Sequence, residues 1–263
     1  MRIALGLEYD GSAFAGWQSQ VNARGVQQAV EEALAVVADH AVEVMAAGRT
    51  DAGVHAAMQV VHFDTTAVRS ERGWVLGATT NLPPQVTVLW AREVPEGFHA
   101  RYSAYARKYR YVILNRPQRP SLAADRVSWV REPLDEQRMH VAAQQLIGEH
   151  DFSSFRAAEC QARTPMRNVH EISVQRYGEV LVLTVMANAF LHHMVRNIAG
   201  VLIAIGSGDR PVEWAAEVLA ARDRKLGGVT AVAGGLYLAG IRYAPALQLP
   251  SEPELGRPVV LVI

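Results

Sequence analysis

The chain has 263 residues, enough for one large domain or for two small domains that each bury a core. Half of the residues are apolar and a fifth are charged, which is typical of globular proteins and excludes the composition of unfolded chains. The 26 basic and 26 acidic residues balance, so no whole-molecule field would attract a nucleic acid or an anionic membrane, and any basic surface must be local.

Three further features predict a cytoplasmic protein with no membrane partner. The single cysteine, Cys160, excludes a disulfide within the chain and indicates a reducing compartment. The sequence begins Met-Arg-Ile, without the basic and apolar pattern of a secretion leader. The longest apolar stretch, around 198–205, is less than half of the roughly 20 residues that a membrane-spanning helix needs.

The first half of the chain predicts the element order βαββαβ. Residues 2–9 alternate in hydropathy and then reach Asp10-Gly11-Ser12, as a strand entering a loop does. From Val26 onward, apolar residues recur at helical spacing between Gln and Glu, which predicts an amphipathic helix. The remaining elements expected are strands over 42–47 and 59–64, a helix over 71–80 and a strand over 86–94. This is the element order of ferredoxin-like folds.

The same order is predicted again after Pro95-Glu96-Gly97. The expected elements are a strand over 105–114, a helix over 135–147, strands over 171–177 and 180–187, a helix over 190–205, an added helix over 212–221 and a strand over 236–241. We therefore predict an α+β, sandwich-like fold with two ferredoxin-like halves and mainly antiparallel sheets. The predicted domains are 1–97 and 98–244, followed by an extended, proline-rich tail over 245–263.

A glycine-framed loop between two predicted strands is the first candidate site. It reads Gly48-Arg49-Thr50-Asp51-Ala52-Gly53-Val54-His55, and its glycines allow the backbone to approach a ligand closely. The small neighbours leave Asp51 accessible, and Arg49 favours its ionised form, which suits a nucleophile. The alternative is a structural turn in which Asp51 caps backbone amides.

A basic and aromatic stretch over 101–119 is the second candidate site. It contains no acidic residue and four of the eight tyrosines. On a strand, alternation would put Tyr105, Arg107, Tyr109 and Tyr111 on one face, and Lys108 and Arg110 on the other. Cations that bind phosphate and rings that stack on bases are typical of single-stranded RNA surfaces. The alternative is an amphipathic strand with its tyrosines in a core and its arginines in solvent.

The predicted helix over 190–205 has an apolar stripe and a polar face. His192 and Arg196 are four residues apart and would share the polar face, from which Arg196 could reach a ligand or a carboxylate. His192 and His193 resemble a metal pair, but adjacent helical residues point about 100° apart and no Cys, Asp or Glu lies at ligand spacing. We therefore expect no metal. For Cys160 we expect a small, buried or half-buried side chain, because no histidine partner is evident.

Four segments together resemble the tRNA pseudouridine synthase A family. Tyr-Asp-Gly at 9–11 is followed by Phe-Ala-Gly-Trp-Gln at 14–18, and Gly-Arg-Thr-Asp-Ala-Gly-Val-His-Ala spans 48–56. Phe-His-Ala-Arg occupies 98–101, and Phe-Leu-His-His-Met-Val-Arg-Asn occupies 190–197. The segments occur in the family's order, and the resemblance runs from residue 2 to about residue 243.

The resemblance implies a cofactor-free isomerase that converts uridine to pseudouridine in the anticodon stem-loop of tRNA, at positions 38, 39 and 40. It also implies a basic cleft flanked by the two halves, and a homodimer that binds tRNA. By motif, Asp51 is the nucleophile, Arg49 takes part in base extrusion and Arg196 is the ion-pair partner of Asp51. The remaining expected contacts with the substrate are made by Tyr109, Leu236, Arg101, Arg107, Lys108 and Arg110.

Two positions depart from the family pattern. Gly25 precedes Val26-Gln27 where a hydroxyl residue is more frequent, and Val232 stands where a proline is usual before Gly234. Both lie outside the catalytic motif, so they concern the local shape of two loops.

Two other functions are compatible with the residues alone. A non-catalytic RNA-binding module would use the strand over 105–111 and would not need Asp51. A base-releasing glycosidase would need a second carboxylate near Asp51, because glycoside hydrolysis usually uses a pair, and it would liberate free uracil.

Overall fold

A computed structural model describes residues 1–252 of the chain. These residues form two compact units, unit 1 over 1–105 and 237–252 and unit 2 over 106–236. Both units combine helices with mainly antiparallel strands, which confirms the predicted α+β class. Of the predicted tail over 245–263, residues 253–263 lie outside the described residues. Within the described part of the chain, no helix is both long and apolar enough to span a membrane.

Ten strands and five α-helices are present in residues 1–252. The strands are β1 (Arg2–Tyr9), β2 (Met45–Ala46), β3 (His55–Asp64), β4 (Val86–Val94), β5 (Ala106–Asn115), β6 (Ser128–Val130), β7 (Gly148–Asp151), β8 (Met166–Tyr177), β9 (Val180–Ala187) and β10 (Leu236–Arg242). The helices are α1 (Val26–Ala38), α2 (Glu71–Asn81), α3 (Glu136–Gln144), α4 (Met194–Gly206) and α5 (Trp214–Ala221).

The sheet of unit 1 is built around β1 and β3. β1 lies between β4 and β3 and is antiparallel to both. The other edge of β3 carries two short pairings at its opposite ends: β2 is antiparallel, with Met45 opposite His62, and β10 is parallel, with Tyr237 opposite His55. The pairing with β10 fixes the start of β3, which is also the end of the candidate loop over 48–55.

The predicted strand over 42–47 is shorter in the structure. Only Met45 and Ala46 pair with β3, whereas Val42 and Val44 are buried without belonging to a strand. The backbone N–H of Val44 donates to the Glu31 carboxylate of α1 at 3.1 Å, so its hydrogen bond goes to a helix side chain instead of a neighbouring strand. β3 is longer than predicted and begins at His55.

The start of α1 explains one departure from the family pattern. Gly25 precedes the helix in an extended conformation and makes no side-chain cap. A Cβ atom at this position would lie 2.4 Å from the carbonyl oxygen of Gln18. Because a real Cβ cannot approach a backbone oxygen so closely, the loop leading into α1 requires glycine here.

The sheet of unit 2 has the order β5-β9-β8-β7 with antiparallel neighbours, and β6 runs parallel to β5. The predicted helices are present as α3, α4 and α5. β6 and β7 were not predicted, because strands of three and four residues carry too little alternation to be recognised.

The predicted helix over 190–205 begins late, and this corrects the treatment of two histidines. α4 starts at Met194, and His193 before it has a left-handed φ of 60°. His192 and His193 therefore lie outside the helix, and their ring centroids are 4.0 Å apart. Contrary to expectation, helical geometry does not separate these two rings, and His192 and Arg196 do not share a helix face.

A buried histidine in unit 1 makes the stability of the fold dependent on pH. His62 on β3 is buried, and its Nδ1 accepts the backbone N–H of Ala100 at 3.1 Å. Burial, together with the nearby charges of His99 and Arg2, lowers the pKa of His62 to about 4. His62 is therefore neutral in the folded protein at neutral pH.

The free energy of unfolding is expected to fall as the pH drops from about 6.5 towards about 4. The unfolded chain, with a histidine pKa near 6.5, then binds a proton that folded His62 excludes, so the loss should be about 2 kcal/mol by about pH 5. Urea unfolding at pH 7.5 and pH 5 measures it. His62→Asn should remove this loss of unfolding free energy between pH 7.5 and pH 5. His170→Asn, the same change at an exposed histidine, should leave the loss unchanged. An unchanged pH dependence in His62→Asn would contradict the assignment.

Candidate functional site

The candidate loop of unit 1 ends in a tight turn that begins with Asp51. The backbone N–H of Val54 donates to the Asp51 carbonyl at 3.1 Å, and Gly53 has a φ of 75°. A positive φ at the third residue is the requirement of a type II turn, which glycine meets without strain. The turn leaves Asp51 half-buried, while Arg49 is exposed.

Thr50 anchors the residue before Asp51 from two sides. Its carbonyl accepts the backbone N–H of Trp17 at 2.9 Å, and its Oγ1 lies 2.8 Å from the Tyr9 hydroxyl. Burial raises the pKa of Tyr9 above its ordinary value, so the phenol stays protonated and can donate this bond. Gly16 has a φ of 92°, and a Cβ there would lie 2.7 Å from the Thr50 oxygen. The loop before α1 therefore packs directly on the turn.

Two polar side chains of β3 hold the two ends of the same loop. Gln59 is fully buried, and its Nε2 donates to the Gly48 carbonyl at 2.6 Å. Nδ1 of His55 accepts the Gly11 backbone N–H at 3.1 Å, and its ring stacks on Tyr237 at 4.7 Å. Sequence reasoning did not find Tyr9, Gln59 or His55 as supports of the loop, because they lie on strands whose pairing decides where their side chains point.

The aromatic residues of the second candidate site divide into three environments. Tyr105 precedes β5, belongs to unit 1 and is 56% exposed. Tyr109 is 8% exposed, and its ring meets Phe190 edge to face at 4.9 Å. Tyr111 is fully buried, and burial raises its pKa to about 12. Tyr111 is therefore a core residue, as in the alternative of an amphipathic strand with tyrosines in a core, and Tyr105 is not part of the strand.

The basic residues predicted to bind RNA are half-buried or exposed. Arg107, Lys108 and Arg110 on β5 are half-buried, and Nη1 of Arg107 donates to the Asn188 carbonyl at 3.1 Å. Arg101 is exposed in unit 1, with its guanidinium 5.6 Å from the centre of the Tyr102 ring.

Arg196 lies in the first turn of α4 and is tied to a loop of unit 2. Its Nε donates to the Ala231 carbonyl at 2.7 Å, and the Ala231 N–H donates to the Arg196 carbonyl at 3.1 Å.

Sγ of Cys160 accepts the backbone N–H of His192 at 3.4 Å. Cys160 is half-buried, as expected.

Leu236 follows a constricted glycine pair at the start of β10. It is 6% exposed, and a Cβ on the preceding Gly235 would lie 2.8 Å from the Val112 oxygen. Val232, where the family usually has proline, has a φ of −62°. This value lies within the range that proline imposes, so the backbone at Val232 has a conformation that proline could also adopt.

The predicted site residues fall into two groups. Unit 1 contains Arg49, Asp51 and Arg101, and the first two lie in one loop. Unit 2 contains Arg107, Lys108, Tyr109, Arg110, Arg196 and Leu236.

Comparison with known proteins assigns this arrangement to a class of RNA-modifying enzymes. The family model described as tRNA pseudouridine synthase matches residues 7–103 and 142–244, which include both groups of site residues except those on 106–115. The chain therefore belongs to the tRNA pseudouridine synthase family. Members of this family are isomerases that convert uridine to pseudouridine, so the predicted family and enzyme class are confirmed.

The similar proteins carry one particular name, tRNA pseudouridine synthase A. The protein of Nitrosococcus oceani is 59% identical over 261 residues, covering 99% of this chain and 100% of the relative. That of Coxiella burnetii is 57% identical over 252 residues, covering 96% and 97%. That of Aeromonas hydrophila is 57% identical over 253 residues, covering 96% and 94%.

Proposed function

We propose that this protein converts uridine to pseudouridine in the anticodon stem-loop of tRNA, at positions 38, 39 and 40, with Asp51 as the nucleophile. The observation that carries the proposal is the turn at Asp51, which is half-buried and whose neighbour Thr50 is fixed by Tyr9 and Trp17. A nucleophile held in this way needs little reorganisation before it attacks. Membership of the tRNA pseudouridine synthase family supports the same reaction.

The reaction is an isomerisation, so its atoms balance within one nucleoside. The N1–C1′ glycosidic bond breaks, the uracil turns, and a C5–C1′ bond forms. C5 loses its hydrogen as a proton, and N1 gains a proton. One carboxylate is enough for this sequence if the freed uracil stays in the site, whereas hydrolysis would use a second carboxylate and an activated water.

The target uridine must leave the stem before it reacts. Unpairing and flipping a base costs a few kcal/mol, which stacking and phosphate contacts can offset. In this proposal, Arg49, which is exposed beside Asp51, takes part in base extrusion. Tyr109, already oriented by Phe190, contacts the target base, and Leu236 lines the pocket.

The cations divide between catalysis and RNA binding in this proposal. Arg196 is the cationic group of the catalytic machinery, with its guanidinium oriented through Nε by Ala231. The residues that bind the RNA backbone are Arg101, Arg107, Lys108 and Arg110. We also propose a homodimer, which the resemblance implies, in the cytoplasm, the reducing compartment that the single Cys160 indicates.

Release of tritium from 5-tritiated uridine in tRNA transcripts tests this function, because formation of the C5–C1′ bond expels the hydrogen of C5. We expect release from transcripts with uridine at positions 38, 39 or 40, and none when these positions carry cytidine. Free uracil in the reaction would instead indicate a base-releasing glycosidase. Binding of tRNA without any release would indicate a non-catalytic RNA-binding module.

A further inference from the structure

The loop over 223–231 is attached to the first turn of α4 at Arg196. The side chain and the main chain of Arg196 both bond to Ala231, through Nε to its carbonyl at 2.7 Å and through the Arg196 carbonyl to its N–H at 3.1 Å. A guanidinium is planar, so a bond that fixes Nε also fixes the directions of the two terminal nitrogens. The bond to Ala231 therefore constrains where the Arg196 charge points.

A polar network next to Arg196 holds this loop. Asn197 is 2% exposed, and its Nδ2 donates to the Phe155 carbonyl at 2.7 Å. Its Oδ1 accepts the Thr230 hydroxyl at 2.7 Å and Nη2 of Arg224 at 3.1 Å. Arg224 also donates to the Thr230 Oγ1 at 2.9 Å and to the Gly228 carbonyl at 2.9 Å. The Thr230 hydroxyl is thus both a donor and an acceptor in the network.

Backbone contacts leave the loop over 223–231 little freedom to move closer to α4. A Cβ at Gly200 of α4 would lie 1.8 Å from the carbonyl oxygen of Val229. A Cβ at Gly228 would lie 3.0 Å from the backbone nitrogen of Val201. The loop therefore rests on the helix backbone, and the network of Asn197, Thr230 and Arg224 fixes its lateral position.

We infer that Thr230, Asn197 and Arg224 are positioning residues that orient the guanidinium of Arg196 through Ala231. Thr230 is the adjacent residue to Ala231, so its hydroxyl bond to Asn197 places the Ala231 carbonyl against Nε. The inference rests on the proposed function in one respect, because it takes Arg196 to be part of the catalytic machinery. It adds residues that the family resemblance does not assign to the reaction.

Thr230→Val tests the inference, since it removes the hydroxyl at nearly constant shape, and Thr230→Ser restores the hydroxyl. We expect Thr230→Val to lower kcat on the order of 10-fold, because small misplacements of a catalytic group have large effects on rate. KM for tRNA and the melting temperature should remain close to wild type, and Thr230→Ser should recover most of kcat. Thr80→Val, the same change on the exposed face of α2, should leave kcat unchanged.

A double variant shows whether the hydroxyl acts through Arg196. In an Arg196→Lys background the side chain has no Nε–H to orient, so single-turnover rates should show no further loss from Thr230→Val. A full 10-fold loss in that background would overturn the inference. Arg224→Gln, which removes the guanidinium bonds to the loop, is a second variant and should reproduce the loss in kcat.

Failure of the inference and failure of the proposed function give different results. If Arg196→Lys lowers kcat but Thr230→Val and Arg224→Gln retain the wild-type value, the positioning role is overturned and the catalytic role of Arg196 stands. If Arg196→Lys itself retains wild-type kcat, the catalytic role of Arg196 is overturned, and the positioning role with it.

Discussion

Replacing Asp51 by Asn is expected to abolish pseudouridine formation. The amide has the shape of the carboxylate but cannot act as a nucleophile, so tritium release should fall by at least about 1,000-fold. The turn should persist, because the backbone bond from Val54 to the Asp51 carbonyl closes it and the substitution leaves that bond in place. Binding of tRNA, measured at a stated salt concentration, should therefore change little.

The matched control for this variant is Asp39→Asn. Asp39 is an exposed residue at the end of α1 with a left-handed φ of 60°, a conformation that Asn also adopts readily. This variant should release tritium at the wild-type rate. Wild-type release by Asp51→Asn would eliminate Asp51 as the nucleophile, and it would favour a reaction centred on another residue.

Replacing Gly11 by Ala is expected to disturb the candidate loop through the backbone. A Cβ at Gly11 would lie 2.0 Å from the carbonyl oxygen of Val54, which closes the turn begun by Asp51. The two segments must move apart, and the bond from the Gly11 N–H to His55 would be strained or lost. Overpacking of this kind costs about 1–3 kcal/mol of stability, and we expect a fall in tritium release on the order of 10-fold or more.

Gly97→Ala provides the comparison for this change in the same unit. A Cβ at Gly97 meets no atom within 4 Å, so stability should stay within about 0.5 kcal/mol of wild type. Urea unfolding and tritium release together separate a loss of fold from a loss of geometry at the site. A Gly11→Ala variant with the urea midpoint and the rate of the wild type would show that the contact with Val54 is not restrictive.

The order of elements in unit 1 could be predicted from hydropathy because β1, β3, β4 and α1 are long enough to show a clear period. The first and last residues of the elements were harder to predict than their order. The length of β2 was overestimated because Val42 and Val44 are buried outside a strand, and the Val44 N–H bonds to Glu31 instead of to a neighbouring strand. The start of α4 was misplaced because the left-handed φ of His193, which ends the preceding loop, leaves no trace in the periodicity.

Some residues of the candidate site could likewise be predicted from the sequence and others could not. Asp51 and Arg49 could be singled out from the sequence because a glycine-framed loop concentrates the signal in eight adjacent residues. Tyr111 could not be separated from Tyr109 by alternation, because residues two apart on a strand share a face. The structure separates them by burial, with Tyr111 fully enclosed and Tyr109 against Phe190.

The sequence by itself determined the element order, the loop with its single carboxylate and the resemblance to a family of RNA-modifying enzymes, because these depend on residues that are neighbours in the chain. Only the tertiary structure decided that β10 pairs with β3, that Tyr9 and Gln59 hold the loop around Asp51, and that the loop over 223–231 fixes Arg196. These contacts join residues far apart in sequence, and their energies depend on burial and on hydrogen-bond geometry that no local pattern contains.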